Sequence, residues 1–161
     1  MDNITDEFIK YLITCRKVVT KSPKQKFQQT GCNMRNELEL SNTDSSESFI
    51  VFLRQNTILP DHYSIGLRWK CIDLAKEIIL FRCNGPHGGN IKYPHHFKPH
   101  VHYITAKDIN EKGIYRTTQA EITNDFYTFD EAMRYFFMYC GVDDAERYFP
   151  RILTQSLFDN A

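Results

Sequence analysis

Between residues 27 and 122 the dominant hydrophobic period is two, and the connections between the alternating runs are short. In MRNELEL, Leu38 and Leu40 fall on one face and Glu37 and Glu39 on the other, the pattern of a half-buried strand. SFIVFLRQ, YSIGLRWK and EIILFRC follow as more fully apolar runs, and HVHYIT and IYRTTQAEI complete the series. Links this short leave no room for helical crossovers, so neighbouring strands must run antiparallel. The expectation is an antiparallel sheet of five to six strands.

Helical periodicity brackets this region. ITDEFIKYLITCRKVV places Ile4, Phe8, Leu12, Cys15 and Val19 on one stripe, with Asn3 or Thr5 as cap and Asp6 and Glu7 at the positive end of the helix dipole. TKSPKQK, with Pro23, ends that helix. Near the C-terminus, Thr128-Phe129-Asp130-Glu131 is a capping box. Behind it Phe129, Ala132, Met133, Phe136, Phe137 and Cys140 form an apolar face that reads as core rather than as a cofactor surface. Gly141 stops this helix, and Asp143-Asp144-Ala145-Glu146 opens a short final one. The fold class is therefore α+β, a single domain over residues 1–161, with an N-terminal helix and C-terminal helices packed on the sheet.

Composition sets the class of protein. With 42% hydrophobic and 14% aromatic residues the chain can build a packed core. Twenty basic residues balance 20 acidic ones, so no global field draws it toward nucleic acid or anionic membrane. The five cysteines are odd in number, widely spread and form no CxxC pair, which fits reduced thiols in a cytoplasm. MDNITDEF lacks the apolar run of a secretory signal, and no segment approaches the length of a membrane span, so neither secretion nor a membrane partner is expected.

The chemistry concentrates in one segment. Five of the 6 histidines, His87, His95, His96, His100 and His102, lie in NGPHGGNIKYPHHFKPHVHY. His100 and His102 sit two apart in a strand-like run and share a face, while Val101 and Tyr103 point the other way. The turn-forming run Asn84-Gly85-Pro86-His87-Gly88-Gly89 can fold His87 back toward them. His95 and His96 lie between Pro94 and Pro99. Three uses remain open. His87, His100 and His102, with His96, can bind a divalent metal such as zinc, although no HExxH signature or nearby carboxylate accompanies them. Two of the imidazoles can instead serve as general base and general acid in RNA cleavage without metal, with Arg82 or Lys98 offsetting charge and Tyr93 or Tyr103 holding a base or phosphate. Or the histidines are structural. Cys83, Trp69 and Tyr63 read as core residues.

ILFRCNGPH, HHFKPHVHY and YTFDEAMRYF, in that order, resemble the TumE-like family of small bacterial toxin components, over roughly residues 63 to 140. Cys83 stands where that family's pattern carries an acidic residue, and the histidine groups are spaced further apart. The resemblance implies a toxin of a two-gene module that acts on RNA and is held inactive by an antitoxin, with Arg82, Asn84, His87, His100 and His102 as the carried-over positions. The reading drawn from the sequence is a toxin-like, RNA-directed hydrolase. His100 and His102 supply acid/base chemistry, His87 and Arg82 position the phosphate, and Asn84, His96, Lys98 and Tyr103 contact substrate. It requires no cofactor, with zinc or another divalent ion as an option. The alternative is a non-enzymatic phage or mobile-element inhibitor that binds a larger host complex, which the neutral net charge favours.

Overall fold

The computed structural model describes residues 2–89 and 91–153. Its centre is one antiparallel sheet of eight strands in the order β1-β3-β4-β5-β6-β7-β8, with β2 pairing β3 beside β1. The strands are β1 (Lys17–Lys21), β2 (Gln28–Thr30), β3 (Asn33–Asn42), β4 (Ser48–Asn56), β5 (Tyr63–Cys71), β6 (Lys76–Asn84), β7 (His100–Tyr103) and β8 (Gln119–Ile122). The class is the α+β expected, but the sheet has eight strands, not five to six. The two additional strands are β1 and β2, which the basic linker conceals in sequence.

One face of the sheet carries the core. Leu38 and Leu40 of β3, Phe49, Val51 and Leu53 of β4, and Ile65, Leu67 and Trp69 of β5 all point to it. Two helices cover this side. Helix α1 (Asp6–Thr14) is capped by Thr5, whose hydroxyl accepts the Phe8 N–H, and it buries Ile9, Leu12 and Ile13. Helix α3 (Phe129–Tyr139) opens with the expected box, in which Thr128 and Glu131 exchange hydrogen bonds with each other's backbone. Its aromatic stripe is core, as the periodicity implies: Phe136 is fully buried and stacks on Phe81 at 6.0 Å.

Helix α1 is shorter than its apolar pattern. The chain leaves helical geometry at Cys15, and Lys17 begins β1 instead of a further turn. Lys17 is fully buried, and its ammonium group donates to the carbonyls of Ile13, Cys15 and Cys140 at 2.8, 2.9 and 2.8 Å. One cation thereby satisfies orphan acceptors at the C-terminal ends of both α1 and α3. The Asp143–Glu146 segment forms only a 3₁₀ turn over Ala145–Arg147, because Asp144 accepts the Val19 N–H instead of capping. A one-turn helix α4 (Pro150–Leu153) follows.

Among the described residues, no α-helix packs on the opposite sheet face. Along β5 and β6 the side chains on that face are set by a bulge. Leu67 pairs with Phe81 and Arg68 with Ile79, leaving Leu80 as the extra residue. Ile78 and Leu80 are core, and after the bulge the parity flips, so that Phe81 and Cys83 are core and Arg82 and Asn84 face outward. The displaced Ile79 N–H finds the Tyr115 carbonyl at 3.0 Å. Without this bulge Arg82 would point into the helices.

Candidate functional site

The bulge puts Arg82 and Asn84 into two rows that cross the open face. Gly66, Arg82, His102 and Ala120 are register partners in one, and Ser64, Asn84, His100 and Ile122 in the other. His100 and His102 therefore share a face, as their spacing requires. Asn84 is fixed there by the Ser64 hydroxyl, which donates to Oδ1 at 2.8 Å. The Arg82 guanidinium donates through Nε to the Thr117 hydroxyl at 3.0 Å.

The segment between β6 and β7 folds back over this end of the sheet. Gly85 makes the exit tight: a Cβ there would lie 1.9 Å from the Asp61 carbonyl oxygen. The His87 and Gly88 N–H groups both donate to the His96 carbonyl at 2.8 Å, and Gly88 turns with φ +65°. A 3₁₀ turn over Pro94–Phe97 then carries His95 and His96 toward β7. Ring centroids lie 4.3 Å apart for His87–His96, 5.1 Å for His95–His100 and 4.8 Å for His100–His102. The five histidines converge.

Within this cluster, His95, His100 and His102 present ring nitrogens that all lie within 4.8 Å of one another. His100 is fully buried, and its Nδ1 lies 2.8 Å from the Lys98 carbonyl oxygen. A carbonyl only accepts, so Nδ1 carries the proton and Nε2 keeps its lone pair. Among the described residues that Nε2 is the one buried side-chain polar atom with no hydrogen-bond partner. A ring held by one nitrogen on a backbone carbonyl, with the other left free, is the arrangement that orients a metal-ligating histidine.

Electrostatics favour the neutral ligand form. Burial lowers the His100 pKa to about 4, although the Lys98 contact opposes this. Burial, followed by the positive charge of Arg82 across the strand pair, lowers His102 to about 3. His87 and His95 are lowered as well, by desolvation and by His96. A general acid must carry its proton at the working pH. Both therefore favour the neutral imidazole at pH 7. That works against the metal-free acid/base pair and suits metal ligands, which must be deprotonated.

The remaining residues singled out from sequence divide. His87, His96, His102, Arg82 and Asn84 line one polar cavity of about 510 Å³. The Lys98 side chain is exposed, and it is its carbonyl that enters the site. Tyr103 lies on the helix side of the sheet, lining a separate cavity beside α1 and α3, with its hydroxyl donating to Glu121. It is removed from the histidines by the alternation of β7. Trp69, Tyr63 and Cys83 are buried, as expected. His95 reads from sequence as a loop residue yet joins the cluster from a 3₁₀ turn, and Arg54 of β4, which no sequence motif marks, reaches the same cavity.

An open-faced antiparallel sheet with a histidine cluster at one end is thus the class of protein that fold and site define. The chain matches the model of a family of unknown function, DUF6978, over residues 4–142, and belongs to that family. No curated protein and no solved structure matches it. The matched span contains the whole sheet and the histidine cluster. No helix among the described residues is long and apolar enough to cross a membrane.

Proposed function

We propose that this protein is a metal-dependent hydrolase in which His95, His100 and His102 hold zinc or a similar divalent ion, acting on a phosphoester. RNA is the substrate class that the resemblance to TumE-like toxins favours. The observation that carries the reading is the buried, unpartnered Nε2 of His100, in a cluster whose His95, His100 and His102 ring nitrogens lie within 4.8 Å of one another. An unsatisfied buried acceptor costs on the order of 1–3 kcal/mol, and a metal ion removes that cost. Zinc–nitrogen bonds of about 2.0–2.1 Å in tetrahedral geometry need nitrogens roughly 3.4 Å apart.

A divalent ion held by these three side chains would supply a water of lowered pKa as the nucleophile. His100 and His102 hold the ion from a rigid strand. Arg82, opposite His102, offsets the charge that builds on the phosphoryl oxygens as the bond to the leaving oxygen breaks. His96, at the cavity wall, is placed to pass a proton to that oxygen.

The test is metal content and zinc titration by calorimetry at pH 7, for wild type and His100→Ala, with folding checked by circular dichroism. One tightly bound ion per chain, lost in a folded variant, supports the reading. A folded wild type that binds no zinc, manganese or nickel overturns it. Cleavage of a labelled RNA by the metal-loaded protein, abolished by chelator, tests the substrate class. A protein that is metal-loaded but inert toward RNA and other phosphoesters fits the inhibitor alternative instead.

A further inference from the structure

The open face beyond the histidines carries more positive charge than its partners neutralise. Arg68 of β5 is paired with Glu37 and Glu77 at 3.4 and 3.2 Å, and Lys70 with Glu39 at 3.4 Å. Arg82, Arg54 and Arg35 form no ion pair among the described residues, and neither does Arg116 in the loop before β8. Arg82 is surrounded by its own sign: Arg54 lines the same cavity, and Arg116 adjoins Thr117, whose hydroxyl accepts from the Arg82 guanidinium. Like charges gathered without a counter-charge are destabilising unless an anion joins them.

The shape of this face extends the same point. The polar cavity of about 510 Å³ at the histidine end is lined by Arg54 and Arg82. A second cavity, of about 380 Å³, also has Arg54 and Arg82 in its wall and runs on to Arg35 of β3. Phe52 of β4 lines the second cavity, and its ring occupies the space over Gly66, where a Cβ would be 2.1 Å from Phe52 Cζ. Arg35 and Arg54 are direct partners across β3 and β4, in the row that continues through Ser64 and Asn84 to His100, and Arg82 lies two strands beyond Arg54 in the neighbouring row. With strands about 4.8 Å apart, these three guanidinium groups span more than one phosphate.

We infer that the two cavities form one track for a single-stranded polynucleotide, with Arg82 and Arg116 holding the phosphate beside the histidine centre and Arg54 and Arg35 holding phosphates further along. This rests on the phosphoester reading above and adds the residues that bind the chain and the direction it takes, from β7 toward β3. A mononucleotide would satisfy only the first position.

The experiment is fluorescence anisotropy on the metal-free protein. The probes are an end-labelled oligouridylate decamer with 2′-O-methyl groups, which cannot be cleaved through the 2′-oxygen, a matching duplex, and labelled uridine monophosphate. We expect the decamer to bind at least tenfold more tightly than either of the others. Arg54→Ala and Arg35→Ala should each weaken it by roughly tenfold, with the salt slope falling by about 0.7 for each phosphate that is no longer neutralised. Equal affinity for monophosphate and decamer, equal affinity for the duplex, or unchanged binding in the Arg35→Ala, Arg54→Ala double variant would overturn the track. Zinc titration of the wild-type protein separates the two readings. Decamer binding that persists in a protein unable to bind zinc sinks the metal centre alone. Zinc binding without decamer binding sinks the track alone.

Discussion

Arg82 and His102 are register partners across β6 and β7, on the sheet face that no α-helix covers among the described residues. The relationship depends on the bulge at Leu80, which turns Arg82 outward, and on the two-residue spacing that sets His102 beside His100. The guanidinium helps keep His102 uncharged and therefore able to ligate. It also stands ready for a phosphate next to the ion. One pair thus links metal binding to substrate charge.

Zinc should raise thermal stability through this site. At a free concentration one hundred times the dissociation constant, a single site adds about 2.7 kcal/mol. Differential scanning calorimetry should show that gain in wild type and its absence in His100→Ala and His102→Ala. Arg82→Ala should keep the gain and lose hydrolysis.

The tight exit from β6 is a second point of sensitivity. Gly85→Ala drives a Cβ into the Asp61 carbonyl and the Tyr63 ring. Overpacking of this kind costs about 1–3 kcal/mol. Urea denaturation should register that loss, and zinc affinity should fall with it, because the loop that delivers His95 is displaced. Ser45→Ala, in the β3–β4 turn at the opposite end of these strands, should leave zinc affinity unchanged.

Lys17 predicts a large effect remote from the chemistry. Lys17→Met keeps most of the length of the side chain and removes the three donors, leaving the Ile13, Cys15 and Cys140 carbonyls without their lysine partner. A loss on the order of 3 kcal/mol is expected in chemical denaturation, with zinc affinity retained.

Acid stability should depend on Asp108. Its buried carboxylate accepts from the Thr118 and Thr105 hydroxyls and pairs with Lys112, and these contacts hold its pKa well below the usual carboxylate range. A depressed folded pKa contributes stability that is fully present above the unfolded value, about 3.9, and is lost as pH falls from there toward the folded value. Asp108→Asn should be less stable at pH 7 by about 1–3 kcal/mol. Its stability should also fall less steeply than that of wild type below pH 4, measured by urea titration across pH.

Strands β3 to β6 were legible because strict alternation and short links admit little else. Strand β1 was not, since Val19 falls in helical register with Cys15, and only the pull of buried carbonyls on Lys17 ends the helix early. Thr105 and Asp108 form a capping box for a short helix α2 (Ala106–Asn110) that the run of strands obscured. At the site, His100 and His102 follow from a period of two. His95 did not, because a 3₁₀ turn, not a strand, delivers it. Arg54 and Arg35 stayed hidden for another reason: their nearness to Arg82 is set by sheet register and a bulge, which local sequence does not encode. Tyr103 shows the converse, an aromatic neighbour of the histidines that alternation sends to the other face.

The most direct measurement is X-ray absorption at the zinc edge of the metal-loaded protein. We expect three imidazole nitrogens at about 2.0–2.1 Å and one oxygen, with one imidazole fewer in His100→Ala. Sulfur bound directly to the metal, or a spectrum unchanged by His100→Ala, would contradict a centre built on His95, His100 and His102.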